Sequence, residues 1–414
     1  MVYKRLDKLF YEDTTSDRQS ANEREASLRR MAPSSFRTGI DIETGELFLA
    51  VPRELSLVTE QVLRAERKVS RSWNALPGIA QGAYVRSLII DEVVCTNEME
   101  GIHSTRKQIK EALDNIDQPA GEDRRAKQFM EFANLYLCLT SGAVSLPETP
   151  ADVRALYDAV VAGTLKPDDV PDGNLFRADG VDVKASTQKV VHQGVQPESA
   201  IVSHLNAMIK LVGSEEMPEI YSALLSHYLF EYIHPFYDGN GRTGRFLLAL
   251  YLSNPLSLPT TLSLSRVIAE HKGAYYQAFS VTEHPLNHAE GTFFVLQMID
   301  LIRKSQDELV AELSARRNAL VEAEARLDGV RVDMALSERA CNLLYQIVQV
   351  SLFGTNADVT LQDMAKHLEV TTQSARKYAH ELEQAGLVEA VSFRPLRFKL
   401  SEFGEDTFRT TQIG

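Results

Sequence analysis

Residues 218–253 read PEIYSALLSHYLFEYI, then HPFYDGNGRTGR, then FLLALYLS. The first segment repeats apolar residues three and four apart up to Ile233, and the last does so through Ser253. That period predicts helices over Pro218–Ile233 and Thr243–Ser253, joined by a polar, glycine-rich loop from His234 to Arg245. Gly239-x-Gly241-x-x-Gly244 has the letter pattern of a dinucleotide-binding turn, but that turn must follow a strand, and here a helix precedes it. A P-loop is excluded as well, because no Lys-Ser/Thr pair follows the glycines. Nowhere else does strand alternate with helix as a doubly wound sheet requires, so the expected class is mainly α.

The loop's residue types suit a nucleotide polyphosphate. Gly239 and Gly241 allow a tight turn that bares N–H groups at the start of the next helix, where the helix dipole favours anions. Arg242 and Arg245, three apart, can clamp phosphate oxygens. Asp238 can hold Mg²⁺ bridging those phosphates, and His234 can take a proton near neutral pH. The plain alternative is a helix–loop–helix turn with a basic helix start. Two arginines there are unfavourable unless an anion is bound.

Working outward, residues 1–45 are polar and weakly periodic and are expected to form a loosely packed arm with short helices. Helical pattern runs from Pro52 to about Leu113, including Tyr84–Val94, and again over Ala126–Leu139 and Ala200–Leu211. Trp73 is expected to anchor the arm to the core. Val181–Val183 and Lys189–Val191 are β-prone and flank Ala185–Gln188, which predicts a small hairpin. Residues 300–328 suit a connecting helix. Beyond Gly329, helices at Ser337–Val350, Leu361–Leu368 and Thr371–Ala385 precede a two-stranded segment at Val388–Leu400, the order of a winged helix-turn-helix. The expected divisions are 1–120, a helical region; 121–300, the core; 301–332, a linker helix; and 333–414, the winged-helix domain.

The 414 residues are 44% apolar and 24% charged, a globular balance. Net charge is −13, which excludes coating nucleic acid or anionic lipid by bulk charge. Cys95, Cys138 and Cys341 show neither a disulfide nor a metal-ligand spacing, and no apolar run approaches a membrane span. A cytoplasmic protein without membrane contact is expected. His284 and His288 lack a third ligand, and His227 is expected to be a packed core residue.

At His234–Arg245 the sequence resembles the Fic family, whose signature His-Pro-Phe-x-Asp/Glu-Gly-Asn-Gly-Arg-x-x-Arg it matches at every specified position. The resemblance extends over about residues 80–300. Gly173-x-x-Phe176-Arg177 and the hairpin look like the family's lead-in and flap; Pro259–Ile268, Tyr275 and Tyr276 look like its nucleotide-pocket helices. It departs at His271-Lys272, where members often carry Asn-Arg. The implied fold is a Fic-like helical core with a β-hairpin flap. The implied reaction is transfer of AMP from ATP-Mg²⁺ to a Ser, Thr or Tyr hydroxyl of a target protein, releasing pyrophosphate. His234 is then the general base and Asp238 the metal ligand. Asn240 with nearby backbone N–H groups holds the α-phosphate, while Arg242 and Arg245 hold the outer phosphates. Gly241 favours AMP transfer, because a kinase-like branch has lysine there.

Thr96-Asn97-Glu98-Met99-Glu100-Gly101 on its own reads as a helix ending in acids and a glycine cap. Within the resemblance it is similar to the family's inhibitory motif, through Thr96, Glu100 and Gly101. Glu100 would pair with Arg245 in place of the γ-phosphate. Glu98 has the wrong spacing. The hairpin, through Val181 and Val183, would dock the target by strand addition. The C-terminal 82 residues carry 8 Lys/Arg against 11 Asp/Glu. Thr371–Lys377 nevertheless sits where a recognition helix starts, with Arg376 and Lys377 as candidate DNA contacts and Arg394, Arg397 and Lys399 on the wing. Two other functions stay open: a DNA-binding regulator with a nucleotide-sensing or self-modifying core, and an enzyme that removes AMP. A homodimer is also left open.

Overall fold

A computed structural model describes residues 3–116, 124–163, 165–184, 190–355 and 358–409. In chain order the first elements are α1 (Leu6–Glu12), α2 (Arg18–Arg30), β1 (Ser35–Ile42), β2 (Gly45–Ala50), α3 (Arg53–Asn74), α4 (Gly78–Met99), α5 (Arg106–Asp114), α6 (Arg124–Thr140) and α7 (Pro150–Val160). The flap follows as β3 (Asp182–Lys184) and β4 (Val190–Gln193); Ala185–Gln188 and Lys189 lie outside the described residues. Next come α8 (Glu198–Val212), α9 (Glu219–Ile233), α10 (Asn240–Leu252), α11 (Leu258–Leu262), α12 (Leu264–Glu270), α13 (Lys272–Thr282) and α14 (Thr292–Asp333). The chain divides into two compact units, Met1–Glu66 with Ile89–Gln306, and Arg67–Leu88 with Asp307–Gly414.

In the first unit, every residue of α10 and all but two of α9 are buried. Neither helix has a polar stripe, and a helix apolar all round needs neighbours on every side. α10 packs on α9, α7 and α11, and α9 also packs on α8. The loop 234–239 therefore joins the two most enclosed helices of the unit.

Residues 1–45 correct part of the sequence expectation. The short helices are there as α1 and α2, but the segment is not loosely packed, and β1 and β2 form an antiparallel hairpin whose Ile40, Ile42 and Leu47–Ala50 are buried. The Phe48 N–H donates to Ala289 O at 3.3 Å, and Gly291 N–H returns a bond to Phe48 O at 2.8 Å. Upstream, buried Glu290 accepts from Tyr3 Oη at 2.6 Å and pairs with Arg29 at 3.0 Å. Leu6 is fully buried. A buried ion pair and a buried hairpin face tie the segment down.

The second unit continues with α15 (Glu338–Phe353), β5 (Val359–Thr360), α16 (Leu361–His367), α17 (Thr372–Gln384), β6 (Val388–Phe393), β7 (Leu396–Leu400) and α18 (Glu402–Phe408). Its antiparallel sheet has the order β5-β7-β6. Ser337, Thr360 and Thr371 each cap a helix by accepting a backbone N–H, which sets the starts of α15, α16 and α17. The Trp73 ring lies 6.2 Å from that of Tyr84, within this unit. Among the described residues no helix is long and apolar enough to cross a membrane.

Candidate active site

α9 ends at His234, whose backbone is left-handed at φ 50°, and α10 begins after Gly239 at φ 83°. Gly239 is required twice: its φ disfavours a side chain, and a Cβ there would lie 2.5 Å from Val161 Cγ1. No side chain caps α10, so its first N–H groups face the loop. The Asn240 amide braces this turn, accepting from Phe236 N–H at 3.0 Å and donating to Phe236 O at 2.8 Å.

His234 is half-buried, with Nδ1 3.3 Å from Glu231 O. A carbonyl only accepts, so Nδ1 carries the hydrogen and Nε2 keeps a lone pair. Burial lowers the ring's pKa to about 4, aided by the nearby positive charges of His192 and Arg177. The ring is therefore neutral at pH 7, the form a general base needs.

Arg177, fully buried, holds this corner. Its guanidinium donates to His234 O at 2.8 Å, Asp179 O at 2.6 Å and Val195 O at 2.7 Å. It thus joins the 234–239 loop to both ends of the β3–β4 hairpin. Tyr237 adds a link, donating to Asp172 Oδ1 at 2.8 Å and accepting from Asp179 N–H at 3.0 Å. In the flap Val183 opposes His192, and Gly194 N–H donates to Val181 O at 3.0 Å.

Arg242 and Arg245 are buried on the first turns of α10. Arg242 lies 3.7 Å from the half-exposed carboxylate of Asp238. Arg245 donates from Nε to Thr96 Oγ1 at 2.7 Å, and from Nη2 to Thr96 O at 3.1 Å and to Glu100 Oε1 at 2.7 Å. Burial alone would lower the Arg245 pKa, but the charge and hydrogen bond of Glu100, together with Tyr275 and Glu231, outweigh it and keep the guanidinium protonated. Glu100 also overhangs the helix start: a Cβ on Gly241 would lie 2.2 Å from its Oε1. Gly101, at φ 71°, turns the chain as α4 ends. Glu98 is exposed.

Tyr275 and Tyr276 separate. Tyr275 is buried, its hydroxyl 2.8 Å from His227 Nε2, while His227 Nδ1 lies 3.1 Å from Gly244 O. With Nδ1 donating to that carbonyl, Nε2 accepts from Tyr275. Burial lowers the His227 pKa to about 3, so the ring is neutral. The pair braces α10 from behind. Tyr276 is half exposed, with a pKa raised by burial despite the opposing charge of Arg245.

Two positioning residues were not singled out from sequence. One is Arg177, quoted only as part of a lead-in. The other is Glu92, one turn before Thr96 on α4 and fully buried. It accepts from Ser265 N–H at 3.0 Å, from Ser265 Oγ, and from Tyr136 Oη at 3.2 Å. Burial raises its pKa to about 7. The available signal was a carboxylate three residues after Ile89 and four after Leu88, on the apolar face of the helix.

The donor set fits a nucleotide polyphosphate with Mg²⁺. The Glu100 carboxylate sits on Arg245 and above the uncapped α10 start, taking the place an anionic oxygen would take. Among the described residues no group of three or more His, Cys, Asp or Glu could hold a metal ion. A magnesium ion here would take Asp238 and complete its shell with phosphate oxygens and water, as Mg²⁺ commonly does.

Residues 147–252 match the Fic/DOC family. The matched residues span α7 to α10 with the β3–β4 hairpin and the loop; Thr96 and Glu100 lie upstream of them. The chain is similar in fold to a Fic family protein from Desulfovibrio desulfuricans, with a TM-score of 0.51 and 17% identity over 85% of this chain and 97% of that one. Weaker likenesses are to Fic-1 from C. elegans, with a TM-score of 0.48 and 18% identity over 75% of this chain and 81% of that one. A Fic domain containing signaling protein from Bacteroides thetaiotaomicron has a TM-score of 0.44 and 16% identity over 61% and 95%.

Proposed function

We propose that this protein is an autoinhibited adenylyltransferase that moves AMP from ATP to a hydroxyl of a Ser, Thr or Tyr on a target protein in the cytoplasm. The observation that carries this reading is the Glu100–Arg245 pair at 2.7 Å, set over the start of α10. A carboxylate bound to the buried guanidinium of a phosphate-type loop imitates a phosphate and keeps the real one out. ATP-Mg²⁺, when bound, supplies the AMP group and pyrophosphate as leaving group. His234 Nε2 takes the proton as the target's oxygen bonds to the α-phosphorus and the bond to the bridging oxygen of pyrophosphate breaks. Arg242, Arg245 and the α10 N–H groups balance the phosphate charge.

In this reading Asp238 holds Mg²⁺, Val181 and Val183 belong to the target-docking flap, and Tyr276, rather than Tyr275, edges the nucleotide. The domain from α15 to β7 is a winged helix-turn-helix, whose exposed Arg376 and Lys377 at the start of α17 would meet DNA phosphates. The test of the enzyme reading is intact-mass measurement after incubation with ATP-Mg²⁺ and a cell lysate. Glu100→Gly should add AMP to itself or to a lysate protein well above wild type. No addition by either form refutes it.

A further inference from the structure

We propose that His192 is the latch of the flap: while its ring is doubly protonated it fastens β4 both to the end of α9 beside His234 and to Glu283 past α13, and it loses one of these two holds as the ring loses a proton. His192 is thus a positioning residue for the transfer, and only its consequence for transfer rests on the adenylyltransferase reading.

The geometry asks for two ring hydrogens. His192 Nε2 lies 2.6 Å from Tyr232 O, and Nδ1 lies 3.2 Å from Glu283 Oε2, just past the end of α13. A carbonyl and a carboxylate can only accept, so both nitrogens must donate. Tyr232 stands two residues before His234. Its ring centroid is 4.7 Å from that of His192, and its hydroxyl accepts the Glu43 N–H of the β1–β2 turn at 2.9 Å. One imidazole therefore meets the flap, the catalytic helix and α13.

Little else fastens this strand by its side chains. Val190 and Val191 are exposed, and Gln193 bonds to Asp182 within the hairpin. Among the described β4 side chains, only that of His192 bonds outside the flap. Beside it lies a cavity of about 350 Å³, lined by Glu43, Glu283, His284, Val190 and Val191 among others. The charged and titratable groups facing the ring are Glu283 and His284 from the end of α13, Glu43 from the β1–β2 turn, Tyr232 from α9, and His234.

Burial alone would lower the His192 pKa, but the hydrogen bond and charge of Glu283, together with the Tyr232 carbonyl and the charge of Glu43, outweigh it and raise the value. The sign follows from linkage. Both bonds of the latch hold below the ordinary histidine value of about 6.5, and one of them is lost as pH rises through the higher folded value. A charged His192 also disfavours a second charge on His234, which keeps the base neutral.

The test uses the full chain as wild type, Glu283→Gln and His192→Gln. Ring NMR follows the His192 titration, assigned by its loss in His192→Gln, and amide hydrogen exchange follows residues 190–195. The latch predicts a wild-type midpoint above about 6.5 that Glu283→Gln lowers. It also predicts exchange, corrected for intrinsic rate, about tenfold faster above that midpoint and in both variants at lower pH. In a Glu100→Gly background, Glu283→Gln should slow self-transfer about tenfold below the midpoint and little above it, with ATP binding unchanged. A midpoint that Glu283→Gln does not move, or flap exchange indifferent to pH and to both variants, overturns the proposal. Absence of self-transfer in Glu100→Gly itself counts against the adenylyltransferase reading, and exchange and titration still decide the latch.

Discussion

Arg177→Met should free the flap while leaving the first unit folded. The side chain is fully buried and donates to carbonyls of His234, Asp179 and Val195 at 2.8, 2.6 and 2.7 Å. Hydrogen bonds from a charged group contribute about 1.5–3 kcal/mol each, so the three gather roughly 4–9 kcal/mol. Holding a guanidinium out of water costs several kcal/mol, which the methionine no longer incurs. The net local loss is about 2–4 kcal/mol, or exchange roughly 30- to 1,000-fold faster at 178–195. Arg177→Lys should recover only part of it, because an ammonium is a compact donor that cannot reach three separated carbonyls. Amide hydrogen exchange by mass spectrometry reads both variants. Exchange within twofold of wild type in Arg177→Met would refute the reasoning, since among the described residues no other side chain bonds to all three carbonyls.

The remaining predictions are shorter. His234→Ala should lower AMP transfer by about 10²–10⁴-fold while ATP binding, measured by calorimetry, holds. Because burial lowers the His234 pKa to about 4, transfer should stay level from the acid side of the His192 midpoint, about pH 6, down to about 5 and fall below that as the base is protonated. An acid limb near 6.5 would contradict that assignment. Arg376→Ala with Lys377→Ala should weaken binding to a promoter fragment and flatten its salt dependence. Wild-type binding that does not respond to salt would point to a protein-contact role for that domain instead.

The loop was legible because its chemistry is local. His234 to Arg245 lie within twelve consecutive residues, and the apolar helices on either side declare themselves by period. The Glu100–Arg245 contact spans 145 positions, so only resemblance, not spacing, pointed to it. The β1–β2 hairpin was missed because Arg37, Thr38, Asp41 and Glu46 interrupt its apolar residues. Phe36, Ile40 and Ile42 with the Thr44-Gly45 turn are the hairpin signal that remains in the sequence. The split between Tyr275 and Tyr276 was out of reach, since adjacent helical residues point about 100° apart and only the packed structure tells which one meets His227. Arg177 reads as an ordinary surface arginine until the carbonyls around it are known.

The most direct measurement incubates Glu100→Gly, Glu98→Gly and wild type with ATP labelled at either the α- or the γ-phosphate, and counts label on protein. Glu100→Gly frees Arg245 from the 2.7 Å carboxylate, whereas Glu98 is exposed and points elsewhere. The account predicts α-label on protein in Glu100→Gly at a rate at least tenfold above the other two, and no γ-label in any. Equal α-labelling in all three, or γ-label in Glu100→Gly, would contradict it.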